Sequence, residues 1–397
     1  MIADNAGKFQ LGIFAIRNLP SCATLISALT RLRKATTWQA ERRYSKRMNR
    51  ILVIRGGAIG DFILTLPTLK ALREAYPYAH LEILGYKHIA VLAENRFYAQ
   101  AIRSIEYGAL ASFFAKNSKL PAELANHFAS FDLIISYLYD PDGIFENNLR
   151  RCGVENLIHG PAKVDDREHA ARQLARPLEE LGLRASDFAP RIYHSTESRK
   201  FAEDFLRGMS RPILAIHPGS GSETKNWPIE NWIEFGLGSG AFQSATGEYG
   251  RLGNSECFRE RWRSFLIVSG EADENRCARL EREWKDRDVR FAKNLPLPHL
   301  AAVLEDSIFV GHDSGISHLA AAAGAKCILL FGPTDPDIWA PMNENVEVIR
   351  ADNGKLSDIG IIEVQAALAA ALSVARCVPL KERQTHASHG EAATATS

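Results

Sequence analysis

The chain has 397 residues, 46% of them apolar and 24% charged, with a formal net charge of +1. That length suits two domains of ordinary size, and the balanced charge argues against a dedicated nucleic-acid binder, which carries a basic excess. Six scattered cysteines with no C-x-x-C pair support neither a disulfide framework nor a metal site and fit a reducing cytoplasm. No run of about 18 uninterrupted apolar residues marks a membrane-spanning helix.

Residues 1–47 stand apart, with nine basic residues and two acidic ones. The apolar stretch Phe9–Ile16 is broken by Arg17, and no small-residue cleavage site follows, so a secretory signal is not indicated. Two readings stay open. One is a basic arm held against anionic lipid headgroups. The other is a solvated, disordered leader, or a start assigned too early, since Met48 directly precedes the first strand.

Ile51–Arg55 reads as a strand, Gly56-Gly57-Ala58-Ile59-Gly60-Asp61 as a glycine turn, and the following residues as a helix running to about Tyr76. This is the opening of a Rossmann-like half, but the turn is not G-x-G-x-x-G, so a nicotinamide fingerprint is unsupported. Asp61 is either the helix N-cap or a carboxylate projecting into a cleft at the strand's carboxyl end. Pro67 allows a kink. Strands follow at 80–85, 103–107, 131–137 and 156–160, with helices at 87–94, 121–129 and 145–152. The alternation predicts a parallel sheet with helices on both faces. Helices at 169–181 and 197–209 lead into a second half.

There, Arg211–His217 is a strand, and the loop Pro218–Pro228 is rich in small and hydroxyl residues with one lysine, Lys225. It reads equally as a phosphate cradle and as an ordinary strand-to-helix loop with a surface lysine. A helix begins at Ile229, after Pro228. Residues 236–264 have no clear period and read as an inserted surface loop. Phe265–Gly270 is a strand with Glu271 at its carboxyl end; a helix at 273–284, a strand at 289–292 and a helix at 297–305 follow. Ser307–Gly311 is a strand, His312-Asp313-Ser314-Gly315 a polar turn, Ile316–Ala323 an alanine-rich helix ended by Gly324, and Cys327–Phe331 another strand. That turn offers free backbone N–H groups and the positive end of a helix dipole, which suit a diphosphate. A strand at 346–349 and a helix at 361–374 close the series, and residues 377–397 read as a disordered tail.

Three stretches together resemble glycosyltransferase family 9, the lipopolysaccharide heptosyltransferases. They are Arg55–Asp61 with Pro67; His217-Pro218-Gly219-Ser220 through Lys225-Asn226-Trp227-Pro228; and Asp313-Ser314-Gly315-Ile316-Ser317-His318-Leu319 with Phe331-Gly332-Pro333-Thr334-Asp335-Pro336. Each alone is weak; together and in this order they are specific. The resemblance covers roughly Met48 to Leu372. It implies an α/β fold of GT-B architecture, two Rossmann-like domains facing each other across a cleft. The acceptor domain would span 48–195 and the nucleotide-sugar domain 196–376, with 236–264 an insertion that is not a recognised family feature.

The resemblance further implies transfer of heptose from ADP-heptose to the lipopolysaccharide inner core, with inversion and without a metal or cofactor. Asp61 would be the general base and Lys225 the partner of the donor diphosphate. Asp313, Ser314, Gly315 and His318 would line the donor site, with Ser220 and Glu271 as weaker transfers and Gly56, Gly57 and Gly60 forming the glycine loop. The acceptor would be a lipid-linked saccharide met peripherally at the inner face of the cytoplasmic membrane. Alternatives are another nucleotide sugar, or a GT-B-like nucleotide-binding protein without transfer activity; a nicotinamide dehydrogenase ranks last.

Overall fold

Ile51, Leu52, Val53 and Ile54 are almost completely buried, as expected of a central parallel strand covered on both faces. The computed structural model that places them describes residues 48–237, 262–270 and 273–375. The basic leader 1–47, the tail 377–397, Glu271 and most of the proposed insertion lie outside the described residues.

The first half contains β1 (Arg50–Arg55), α1 (Ile59–Ala75), β2 (His80–Gly85), α2 (Lys87–Ala90), β3 (Ala101–Ser104), α3 (Ala122–Ala129), β4 (Leu133–Ser136), α4 (Ile144–Arg151) and β5 (Leu157–His159). They form a five-stranded parallel sheet in the order β3-β2-β1-β4-β5. Helices α5 (Ala170–Leu174), α6 (Pro177–Glu180) and α7 (Thr196–Phe205) lead onward. The second half contains β6 (Ile213–Ile216), α8 (Ile229–Leu237), β7 (Ser264–Ser269), α9 (Glu274–Glu283), β8 (Asp288–Lys293) and α10 (Leu297–Leu304). It continues with β9 (Ile308–His312), α11 (Gly315–Ala323), β10 (Lys326–Phe331), α12 (Pro336–Trp339), β11 (Val346–Arg350) and α13 (Ile361–Ala375). Its six-stranded parallel sheet has the order β11-β10-β9-β6-β7-β8.

Strand order reverses between β1 and β4 in the first sheet and between β6 and β9 in the second. Open parallel sheets leave a crevice at the carboxyl ends of strands where this happens, and ligands bind there. The segments leaving those strands are 56–61 after β1, 217–228 after β6 and 313–315 after β9.

The second core is built around Trp227, Trp232, Trp262 and Trp284, each at most 1% exposed. The Trp227 ring meets Trp232 edge-on at 5.0 Å, and its indole N–H donates to the Ile359 carbonyl at 3.0 Å. The loop after β6 is thus pinned at its far end to the core.

Several boundaries differ from the sequence expectation. The helix expected over 169–181 is two short helices, because Pro177 has no N–H to continue the first. The helix expected over 87–94 stops at Ala90, and the chain turns through Asn95 at φ 50. The third strand lies at 101–104 rather than 103–107, set by its register with β2, where Glu82 pairs with Ala101. Of the residues expected in an insertion over 236–264, Gly236 and Leu237 belong to α8, Trp262 is in the core and Ser264 opens β7. Helix α1 continues through Pro67.

Candidate active site

On the first sheet, β1 ends at Arg55 and α1 begins at Ile59. The N-cap residue is Ala58, which has no side chain to cap with; Asp61, three residues on, supplies the missing acceptor. Its Oδ2 accepts the Ala58 N–H at 3.0 Å. The expectation of Asp61 as N-cap is therefore corrected by three positions, although its role in closing the helix end is of the same kind. Gly57 makes the turn at φ 98, and a Cβ there would stand 2.9 Å from Asp61 Oδ2. Arg55, 6% exposed, places Nη2 3.5 Å from Asp61 Oδ1. It also donates to the Asp61 carbonyl at 3.3 Å and to Thr65 Oγ1 at 3.1 Å. Burial pushes the Arg55 guanidinium down from its ordinary value, with Asp61 working against that shift. The carboxylate is held from two sides and remains about one-third exposed.

On the second sheet, Lys225 Nζ lies 2.7 Å from Asp313 Oδ2, joining the loop after β6 to the turn after β9. Ser220 Oγ donates within its own loop, with the Ser222 carbonyl at 3.0 Å and Asn226 Oδ1 at 2.9 Å. Ser314 is the N-cap of α11, its Oγ accepting the Ser317 N–H at 3.3 Å. The amino end of α11 therefore faces the crevice with backbone donors, as the sequence suggests.

The two helix amino termini meet. A Cβ on Gly315 would stand 2.8 Å from Ile59 Cβ and 3.1 Å from the Gly60 nitrogen. Only two residues without side chains permit this approach. Beside it lies a cleft of about 680 Å³. Gly57, Ala58, Ile59, Tyr86 and His88 line it from the first half; His217, Ser220, Gly221, Asp273, Ser314 and Gly315 line it from the second, together with apolar Val268, Leu295, Leu297 and Leu300. Asp61, Lys225 and Asp313 stand in the segments flanking the cleft rather than on its wall. Among the described residues, no three His, Cys, Asp or Glu side chains converge as a metal site would require.

A family model described as glycosyltransferase family 9 (heptosyltransferase) matches residues 251–365. Lipopolysaccharide heptosyltransferase 3 of Escherichia coli K12 is 22% identical over 331 residues, 74% of this chain and 86% of that protein. The structure of E. coli ADP-heptose lipopolysaccharide heptosyltransferase II superposes with a TM-score of 0.63 at 15% identity, covering 82% of this chain and 99% of that one. E. coli heptosyltransferase WaaC, solved with ADP, gives a TM-score of 0.56 at 18% identity, covering 81% and 99%. The chain is thus similar to glycosyltransferase family 9, whose model matches residues 251–365. It is a glycosyltransferase of GT-B architecture, and its two parallel sheets are the two Rossmann-like halves of that fold.

In this glycosyltransferase, His318 is the expected site residue whose surroundings differ most from the expectation. It is 4% exposed and packs on Gly60 at the helix junction, its Nδ1 without a hydrogen-bond partner. Burial pushes it down to about 4, with Asp313 and Asp61 opposing and His169 and Lys225 reinforcing, so it is neutral at neutral pH.

Four residues escaped the sequence reading as site residues. Arg55 holds Asp61. His312, fully buried and pushed down to about 3 by burial, accepts the Trp227 N–H on Nε2 at 2.9 Å. His217 and Asp273 are paired at 3.0 Å on the cleft wall. The available signal was a polar residue closing an apolar strand, as Arg55, His217 and His312 do.

Proposed function

We propose that this enzyme transfers heptose from ADP-heptose to a lipid-linked saccharide of the lipopolysaccharide inner core, inverting the anomeric carbon. The observation that carries this reading is the meeting of two helix amino termini at the carboxyl ends of two switch-point strands. One brings a carboxylate, Asp61; the other brings N–H donors at Ser314–Ser317, flanked by Lys225. Asp61 takes the proton of the acceptor hydroxyl as its oxygen bonds to the anomeric carbon. The bond from that carbon to the diphosphate oxygen breaks, and its electron pair leaves with ADP. The α11 amino terminus and Lys225, released from Asp313 by the donor, stabilise the departing charge without a divalent cation. The apolar part of the cleft holds the nucleoside. Residues 48–195 serve the acceptor and 196–376 the donor. The named activity of the curated relatives and the ADP-bound neighbour support the donor; the acceptor lipid implies peripheral contact with the inner membrane. Among the described residues, no helix is long and apolar enough to cross a membrane.

The test is binding and turnover with ADP-heptose, ADP-glucose, UDP-glucose and GDP-mannose on the full chain. Saturable binding of ADP-heptose with transfer to a heptose-deficient lipopolysaccharide acceptor is the expected result. Preference for another nucleotide sugar overturns the substrate, and donor binding without turnover overturns the catalytic reading in favour of a binding protein.

A further inference from the structure

On the donor wall of the cleft, a buried histidine sits inside a chain of side chains that can satisfy it in either protonation state. His217 Nε2 is 3.0 Å from Asp273 Oδ2, and both side chains are 6% exposed. His217 Nδ1 is 3.4 Å from Ser314 Oγ, the N-cap hydroxyl of α11. Ser314 Oγ is in turn 3.1 Å from Ser317 Oγ, whose own proton is committed to the His312 carbonyl.

The Ser314 hydroxyl therefore has two acceptors and one proton. Pointed at His217 Nδ1, it serves the neutral ring, with Nε2–H donating to Asp273. Turned toward Ser317, it leaves its lone pair to accept from a protonated Nδ1. Rotation of one hydroxyl converts the network between a neutral imidazole and an imidazolium, with no buried polar atom of the chain abandoned.

The charged neighbours decide which state holds. Asp273 precedes α9 and favours the imidazolium. Burial tends to raise its carboxyl, but the hydrogen bond and charge of His217, the Gly270 N–H and the charge of Arg276 together outweigh this and hold it below its ordinary value. Arg276 on α9 opposes, and His312 at the end of β9 is neutral. Asp313 and Lys225, in the adjoining turn and loop, pair with one another. An anion at the amino end of α11 would lie one hydroxyl from Nδ1, and nearby negative charge favours the protonated ring.

We infer that His217 takes up a proton when a nucleoside diphosphate binds at the amino end of α11, and that the Asp273-held imidazolium then stabilises the diphosphate as it departs. This rests on the donor reading above. The proton comes from solvent on binding, stays on Nδ1 through transfer, and returns to solvent when ADP leaves. ADP leaves with one more negative charge than it bore as the sugar ester, so the added positive charge acts where it is most needed.

The experiment is calorimetric titration of ADP into the full chain in buffers of different ionisation enthalpy, near neutral pH, for wild type, His217→Gln and Asp273→Asn. The expected result is that wild type takes up more protons per ADP than His217→Gln, with Asp273→Asn between them. Wild-type ADP affinity also falls as pH rises, by up to tenfold per pH unit, because binding takes up a proton. The last ionisation of ADP itself strengthens binding in that direction and so cannot mimic the effect. Equal proton numbers for wild type and His217→Gln overturn the inference while leaving the donor reading intact. Should the variants not fold, wild-type affinity that does not fall with pH even above the last ionisation of ADP overturns it alone. A folded wild type that binds no ADP overturns both readings.

Discussion

Asp61 has two tasks that can be separated. One oxygen closes the α1 amino terminus through the Ala58 N–H, and the other lies nearest the Arg55 guanidinium. Asparagine keeps an acceptor for the helix cap but cannot take a proton. Asp61→Asn is expected to leave the fold and ADP binding in place while turnover falls by about 10²–10⁴-fold, the usual contribution of a general base. Turnover within a few-fold of wild type would remove Asp61 from that role. Lys225 is expected to behave differently, because it meets the diphosphate both before and during departure. Lys225→Met should raise the donor KM and lower kcat together, each by at least about tenfold, and it also strips Asp313 of its partner. An unchanged donor KM would return Lys225 to a purely structural bond with Asp313. Asp61, Lys225 and the 313–315 turn were legible because each lies in a short contiguous motif. Arg55, His217, Asp273 and His312 were not legible as site residues. The pairing of His217 with Asp273 spans 56 residues and that of Trp227 with His312 spans 85, and only the folded sheet brings them together.

The elements that were readable are the ones whose environment is uniform. β1, β6, β7, β9 and β10 are buried nearly throughout, so an apolar, β-branched run identifies them without periodicity. β3 is only half-buried along its whole length, and its position is set by pairing with β2 rather than by its own composition. The helix split at Pro177 shows the converse, a local rule that overrides an otherwise continuous apolar pattern. The meeting of α1 and α11 was not legible at all, because glycine in a turn has several uses and only the coordinates show the close approach. Gly315→Ala tests it. The added methyl would overlap Ile59 and the Gly60 backbone, neither of which can swing away like a long side chain. The junction should open by a few tenths of an ångström, with a stability loss of about 1–3 kcal/mol typical of overpacking. Turnover should fall as well, since the carboxylate and the diphosphate-binding terminus are moved apart. A variant that keeps both its melting midpoint and its turnover would show that the two halves do not need this contact.

At the scale of the whole molecule, pH acts on stability through histidines buried in the neutral form. His194 and His318 are pushed down to about 4 and His312 to about 3, in each case chiefly by burial. In the unfolded chain a histidine takes up its proton near pH 6.5. Between that value and the folded one, the unfolded state binds more protons, so stability rises with pH across the interval. The contribution is complete above about pH 6.5, and it is lost as pH falls toward about 4 for His194 and His318 and about 3 for His312. Glu305, raised above the ordinary carboxylate value by burial, works in the opposite direction and offsets part of the loss. The carboxylates held below their ordinary values, Glu82, Asp187 and Asp273 among them, add their own loss only at lower pH, where carboxylates protonate in the unfolded chain. The melting midpoint is therefore expected to begin falling already between about pH 6.5 and about pH 5, before the carboxylates held below their ordinary values contribute. His194 lies behind α7, near Glu305 and Arg199 and away from the cleft, so His194→Gln can be judged on stability alone. It should flatten the upper part of that slope while leaving turnover near wild type. A midpoint that stays level until about pH 4.5 would assign acid unfolding to the carboxylates and leave the buried histidines without a measurable share.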